Sequence, residues 1–176
     1  MANIDNPSGF ELVSGPAETL PISVAAANAT TIGKGDPLTM HQDGVFTRSV
    51  AGAGAAVAYI AQGFKNSNGE SIAYLPASTA GTITAIRIVP GQVWAVQGNS
   101  GTAITAAAVN ATADFAAANC STVSGRSAYE LNASDIGTGQ QLRILGLVDA
   151  PGNAFGENAD VLVEFAECAA TSNTSV

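Results

Sequence analysis

The sequence predicts an all-β protein, a compact β-barrel or β-sandwich with an extended N-terminal arm. Three observations lead there. Short runs of branched and aromatic residues are separated by turn signals about every 8 to 12 residues, the spacing of sandwiches and barrels. Two of those turns carry Asp43-Gly44 and Asn68-Gly69, dipeptides that accept the positive φ angles of tight hairpins. Helix signals are scarce, and no Ser-x-x-Glu capping box precedes an apolar stretch with helical period.

Taken in order, residues 1–21 contain Pro7, Pro16 and Pro21, three acids and no base. Their apolar residues, Ile4, Phe10, Leu12 and Val13, are isolated and show neither a 2.0 nor a 3.6 period, so the segment reads as an extended arm. Residues 22–169 carry the β-domain. Leu38–Gln42 and Val45–Val50 flank Asp43-Gly44, and Val57–Phe64 and Ser71–Leu75 flank a longer loop containing Asn68-Gly69. Thr82–Val89 and Gln92–Gln97 flank Pro90-Gly91. In the latter strand Trp94 and Val96 alternate with Val93, Ala95 and Gln97. The Ala-rich TAITAAAV (102–109) reads as a strand, and Ala113–Asn119 as a short helical turn. Gln141–Val148 and Ala159–Phe165 are two late strands around a loop with Pro151, Gly152 and Gly156. Residues 170–176 are small and polar and form a flexible tail. Branched and aromatic strand positions nominate Ile86, Ile88, Val93, Val96, Leu142, Ile144, Leu162 and Phe165 for the core.

Composition narrows the function. The 176 residues include 34 Ala and 19 Gly, and only 11% are charged, against about 25% in an average soluble domain. Six Lys and Arg face fourteen Asp and Glu, for a net charge of −8, which argues against a nucleic-acid binder that works by neutralising phosphates. No apolar run reaches the roughly 18 residues of a membrane span. MANIDNPSGF lacks the charged and apolar regions of a secretory signal, so synthesis in a reducing cytoplasm is expected. Cys120 and Cys168 then read as small buried thiols, although a disulfide between them stays open. Sparse charge with abundant small residues makes a surface that is cheap to desolvate, which suits a self-associating, closed assembly.

Little in the chain suggests chemistry. His41 is the single histidine, and no G-x-S-x-G elbow surrounds any serine. Gly52-Ala-Gly54 lacks the third glycine and the acid of a dinucleotide fingerprint. Glu157, Asp160, Glu164 and Glu167 lack the ladder spacing of a calcium loop and read as an acidic outer face. The expectation is therefore no enzyme, no cofactor and no metal.

The opening MANIDNPSGFELVSG, the step Gly35-Asp36-Pro37-Leu38, and Gly125-Arg126-Ser127 followed by QQLRILGLVDAPGNAFGENADVLVEF together resemble the capsid decoration (cement) proteins of tailed bacteriophages. The resemblance spans both ends of the chain and touches its middle. It departs at Ala17–Ala29, where LPISVAAAN stands in place of a more charged, tyrosine-bearing strand. It implies a β-rich subunit made in the bacterial cytoplasm and carried as homotrimers on the outer capsid surface, with N-terminal arms that bind the major capsid protein. Ile4, Phe10, Leu12 and Val13 are then the partner-binding residues. A head-fibre or adhesin-like module attaching to host surface glycans is the alternative. It would need exposed aromatic platforms, and Trp94, Tyr59, Tyr74 and Tyr129 are the few candidates besides phenylalanine.

Overall fold

The computed structural model describes residues 3–26, 28–41, 45–52, 57–139 and 141–168. Its strands are β1 (Glu11–Ser14), β2 (Thr19–Val24), β3 (Pro37–Met40), β4 (Phe46–Arg48), β5 (Tyr59–Asn66), β6 (Ser71–Ile72), β7 (Gly81–Arg87), β8 (Val93–Gln97), β9 (Thr112–Ala113), β10 (Phe115–Ala116), β11 (Glu130–Leu131), β12 (Leu142–Leu147) and β13 (Asp160–Phe165). The all-β expectation holds. One antiparallel sheet runs β1-β8-β13-β12-β9, and the other runs β2-β7-β5-β3-β4 with β6 paired to β5. Strands β10 and β11 form a small separate ribbon. The second sheet curls until its edge strands β2 and β4 approach each other.

Two cores result. The larger lies between the sheets, where Trp94, Val96, Leu142, Ile144, Val161, Val163 and Phe165 of the first sheet meet Ile60, Ile86 and Ile88 from the second. The smaller fills the hollow of the curled sheet with Ile22, Leu38, Ala61, Phe64, Ile83 and Ala85. Strand β7 serves both, Ile83 and Ala85 on one face and Ile86 on the other. Of the nominated core residues, Val93 and Leu162 are only half-buried. In β13 the inward face is Val161, Val163 and Phe165, which the pleat puts opposite Leu162.

The hairpins around residues 43–44 and 68–69 join antiparallel neighbours, β3 to β4 and β5 to β6, although the Asp43-Gly44 turn itself lies outside the described residues. The turn at Pro90-Gly91 behaves differently. It carries the chain from β7 in one sheet to β8 in the other, so these consecutive strands do not pair. The late strands β12 and β13 pair as expected, with Arg143 opposite Glu164 and a bulge between Ile144 and Gly146.

The Ala-rich region reverses its predicted states. Residues 102–109 hold a turn of 3-10 helix at Ala106–Ala108 instead of a strand, and only Ile104 bridges to Gly156. Alanine fills little of a pleated surface, so nothing there favours a ladder over a local turn. The segment expected to turn, Ala113–Asn119, instead contributes to β9 and β10, because Phe115 is drawn wholly into the large core.

The N-terminal arm also requires correction. Residues 11–14 form edge strand β1 against β8, and residues 19–24 form edge strand β2 along β7. Phe10 is 2% exposed and packs on Phe165 and Phe115, with ring centroids 5.0 and 6.1 Å away. The isolated apolar residues read as an arm because only Phe10, and Leu12 in part, enter the core, each at a single site. Strand addition, moreover, works through backbone groups that periodicity does not register. Residues 170–176 lie outside the described residues.

Candidate interaction site along the N-terminal strap

Residues 3–16 run along the edge of the first sheet as a strap, held by the β1–β8 pairing and by side-chain amides. Asn3 Nδ2 donates to the carbonyls of Ala154 (2.9 Å) and Glu157 (2.8 Å), while its Oδ1 accepts the Ala154 N–H at 3.1 Å. Buried Gln97 donates to the Ile4 carbonyl at 3.0 Å and accepts the Asn6 N–H at 2.8 Å. Buried Gln92 donates to the Pro16 carbonyl at 2.6 Å and to that of Arg87 at 2.9 Å. Between these clamps the Phe10 N–H donates to the Gly35 carbonyl at 3.0 Å. That close approach needs Gly9 at φ +70° and Gly35 at φ +93°. A Cβ at Gly9 would run into the Ser127 side chain and the Gly35 carbonyl.

Three adjoining clefts follow the strap. The first, of about 350 Å³, is lined by Asn3, Asn6, Gln97, Asn153 and Asp160 among others. The next, about 230 Å³, shares Asn6, Gln97 and Asp160 with it and adds Glu11 and Arg126. The last, about 100 Å³, shares Glu11 and Arg126 and adds Lys34 and Gln62. Most amides in the first cleft are already spent on backbone groups. Asn153, for example, donates to Val148 and Asp160 and accepts from the Asp160 N–H. Chemically this groove offers side-chain amides, two cations and two carboxylates, and it carries no nucleophile paired with a base.

The sequence-nominated partner residues separate along the strap. Ile4 is 81% exposed and Val13 54%, so both are open to a partner. Leu12 is half-buried against the large core. Phe10 is already occupied within its own domain, which corrects its nomination as a partner-binding residue.

Beside the middle of the strap, next to Gly35, lies a buried polar node that the sequence did not single out. Asp36 is fully buried, with Oδ2 accepting the Gly33 N–H at 2.8 Å. Loss of solvation pushes its pKa up from 3.8 to about 6, against the lowering pull of that N–H, of the Ser127 hydroxyl and of the Arg48 charge. The Ser127 influence is weaker than that of Gly33, and Oδ1 has no hydrogen-bond partner in reach. Arg48 donates to the Ala118 carbonyl at 3.0 Å and to Asn119 Oδ1 at 3.1 Å, and its guanidinium lies 5.4 Å from the Tyr129 ring centroid. The Tyr129 hydroxyl donates to the Ser49 carbonyl. Burial raises the Tyr129 and Cys120 pKa values as well. The node thus ties β3 and β4 to residues 118–129. Only Gly-Asp-Pro, an acid placed where the chain enters an apolar strand, could have hinted at it.

The remaining candidates fall apart spatially. His41 is exposed, with Nε2 2.8 Å from the Thr47 hydroxyl. Cys120 and Cys168 are both buried thiols. Of the acids expected on an outer face, Glu164 pairs with Arg143 at 3.0 Å. Gly54 lies outside the described residues, so the Gly52-Ala-Gly54 loop cannot be placed. Among the described residues, no three of His, Cys, Asp and Glu converge as metal ligands, and no helix is long and apolar enough to cross a membrane. What the geometry defines is an all-β domain whose exposed features are a clamped strap and a polar groove. Comparison with protein-family models, curated proteins and solved structures finds no match for the chain.

Proposed function

We propose that this chain is a structural virion subunit that binds the outside of an icosahedral phage head and clamps neighbouring major capsid proteins. The resemblance of its opening, its Gly-Asp-Pro-Leu step and its closing hairpin to decoration proteins motivates the reading. The observation that carries it is the strap: a pre-ordered N-terminal segment that presents Ile4 and Val13 outward while Phe10 and the amide clamps fix its path. A binding element ordered beforehand loses little conformational freedom on docking. Contact with the capsid then runs through the docked strap and not through a free arm. The low charge and small residues of the chain favour assembly into a homotrimer or similar closed ring. The glycan-binding alternative loses much of its support, because Trp94 and Tyr129 are wholly buried.

The test is binding of purified protein to phage heads that lack their decoration layer, read by co-sedimentation. Saturable, stoichiometric binding that Ile4→Asp/Val13→Asp weakens by tenfold or more is expected. No binding to any such head, together with retention on host cell-surface glycan, would replace this reading with the alternative.

A further inference from the structure

We propose that copies of this chain associate head to tail, a basic clip at Lys34 and Arg126 on one copy receiving an acidic, apolar-tipped lobe at Asp149, Phe155 and Glu157 on the next. The proposal rests on the reading of the protein as a self-assembling subunit and names the surfaces that would join.

Charge accounting supplies the argument. With six cations against fourteen acids, most facing patches on two copies repel. Arg143 is spent on Glu164 at 3.0 Å, Arg87 lies 4.0 Å from Glu18, Arg48 is turned inward to carbonyls and the Tyr129 ring, and Lys65 stands exposed on β5. Lys34 and Arg126 are different. They are direct partners in a parallel bridge, both are exposed, and both line the same cleft beside Gln62. Glu11 lines that cleft too, yet no ion pair joins it to either cation. Two of the six positive charges are thus held side by side on bridged backbone, with no ion pair to a carboxylate among the described residues.

The complementary surface is the loop between β12 and β13. Asp149 and Glu157 are exposed on it, Phe155 is 39% exposed, and Ile4 stands close by at 81%. Three hydrogen bonds between Asn3 and the backbone of Ala154 and Glu157 brace this lobe, so it is ordered before any partner arrives. Clip and lobe lie towards opposite ends of the groove of three clefts, by Phe10 and by Asn3 respectively. Different patches meeting in this way make a heterologous contact, which closes into a ring when the rotation allows.

Sedimentation velocity on the full chain tests the proposal, at low ionic strength and at about 0.5 M salt, where the Debye length falls to a few ångströms. Wild type should associate, and salt should weaken the association. Lys34→Glu/Arg126→Glu and Asp149→Lys/Glu157→Lys should each weaken it at least tenfold, and the fourfold swap in one chain should restore it to within a few-fold. All four residues are exposed, so melting temperatures should stay within a few degrees of wild type. A variant that fails this check is replaced by Lys34→Gln/Arg126→Gln or Asp149→Asn/Glu157→Gln. Double variants that assemble as tightly as wild type would overturn the clip and leave the self-assembly reading standing. A wild type that stays monomeric throughout would overturn both.

Discussion

The buried carboxyl of Asp36 makes stability depend on pH in a direction opposite to ordinary acid denaturation. Its folded pKa of about 6 stands above the unfolded value of 3.8, so the native state holds its proton more tightly. Below 3.8 both states are protonated and the group costs nothing. As pH rises through 3.8 the unfolded chain gives up its proton first, and stability falls until the folded group also ionises near 6. A difference of about two units corresponds to roughly 3 kcal/mol of stability present in acid and lost above pH 6. Asp36→Asn removes the titration while keeping an oxygen for the Gly33 N–H. Thermal melts of both proteins between about pH 3.5 and 7.5 should therefore show the variant gaining on wild type as pH rises. The gain should total about 3 kcal/mol, roughly 6–12 °C in a chain of this size. Comparing the pair cancels the other carboxylates, including Glu130, whose pKa burial and then the Asp5 charge also raise. A stability difference that is flat with pH, or that grows on acidification, would refute the assignment of Asp36 as a buried, upward-shifted acid.

Further outcomes follow from the strap and the node. Phe10→Ala should cost about 3–5 kcal/mol in chemical denaturation, since it empties a core site among Phe115 and Phe165, whereas Ile4→Asp should leave the denaturation midpoint unchanged. Deleting residues 2–15 should destabilise the isolated protein by at least as much as Phe10→Ala, because strand β1 goes as well; a truncated protein that melts like the full chain would restore the free arm. Gly9→Ala should cost about 2–4 kcal/mol, combining an αL penalty with a collision against backbone, as read from urea titration. Tyr129→Phe should cost about 1–3 kcal/mol by the same measurement, because the Ser49 carbonyl loses its buried donor.

The sequence by itself determined the class of fold and most of the strands that build it. Branched residues in period-2 runs, broken by Asp-Gly, Asn-Gly and Pro-Gly, specify strand and turn through local sterics alone, and β12 with β13 needed nothing more. Local sterics do not say which strands pair. Pro90-Gly91 turns the chain just as well between two sheets as within one, and only the burial of Trp94, Ile86 and Ile88 in one shared core decides for the former. The Ala-rich stretch was illegible for a related reason: alanine is nearly indifferent between states, so the pull of Phe115 into the core chose for it. The strap stayed hidden because backbone pairing of β1 on β8 and single side chains hold it, Gln92, Gln97 and Asn3 each bonding to backbone 76 to 154 residues away. The exposure of Ile4 and Val13, the burial of Phe10 and the charge of Asp36 are all set by what the rest of the chain places against them. That is a property of the tertiary structure, because burial is a relation between distant residues and not an attribute of any one.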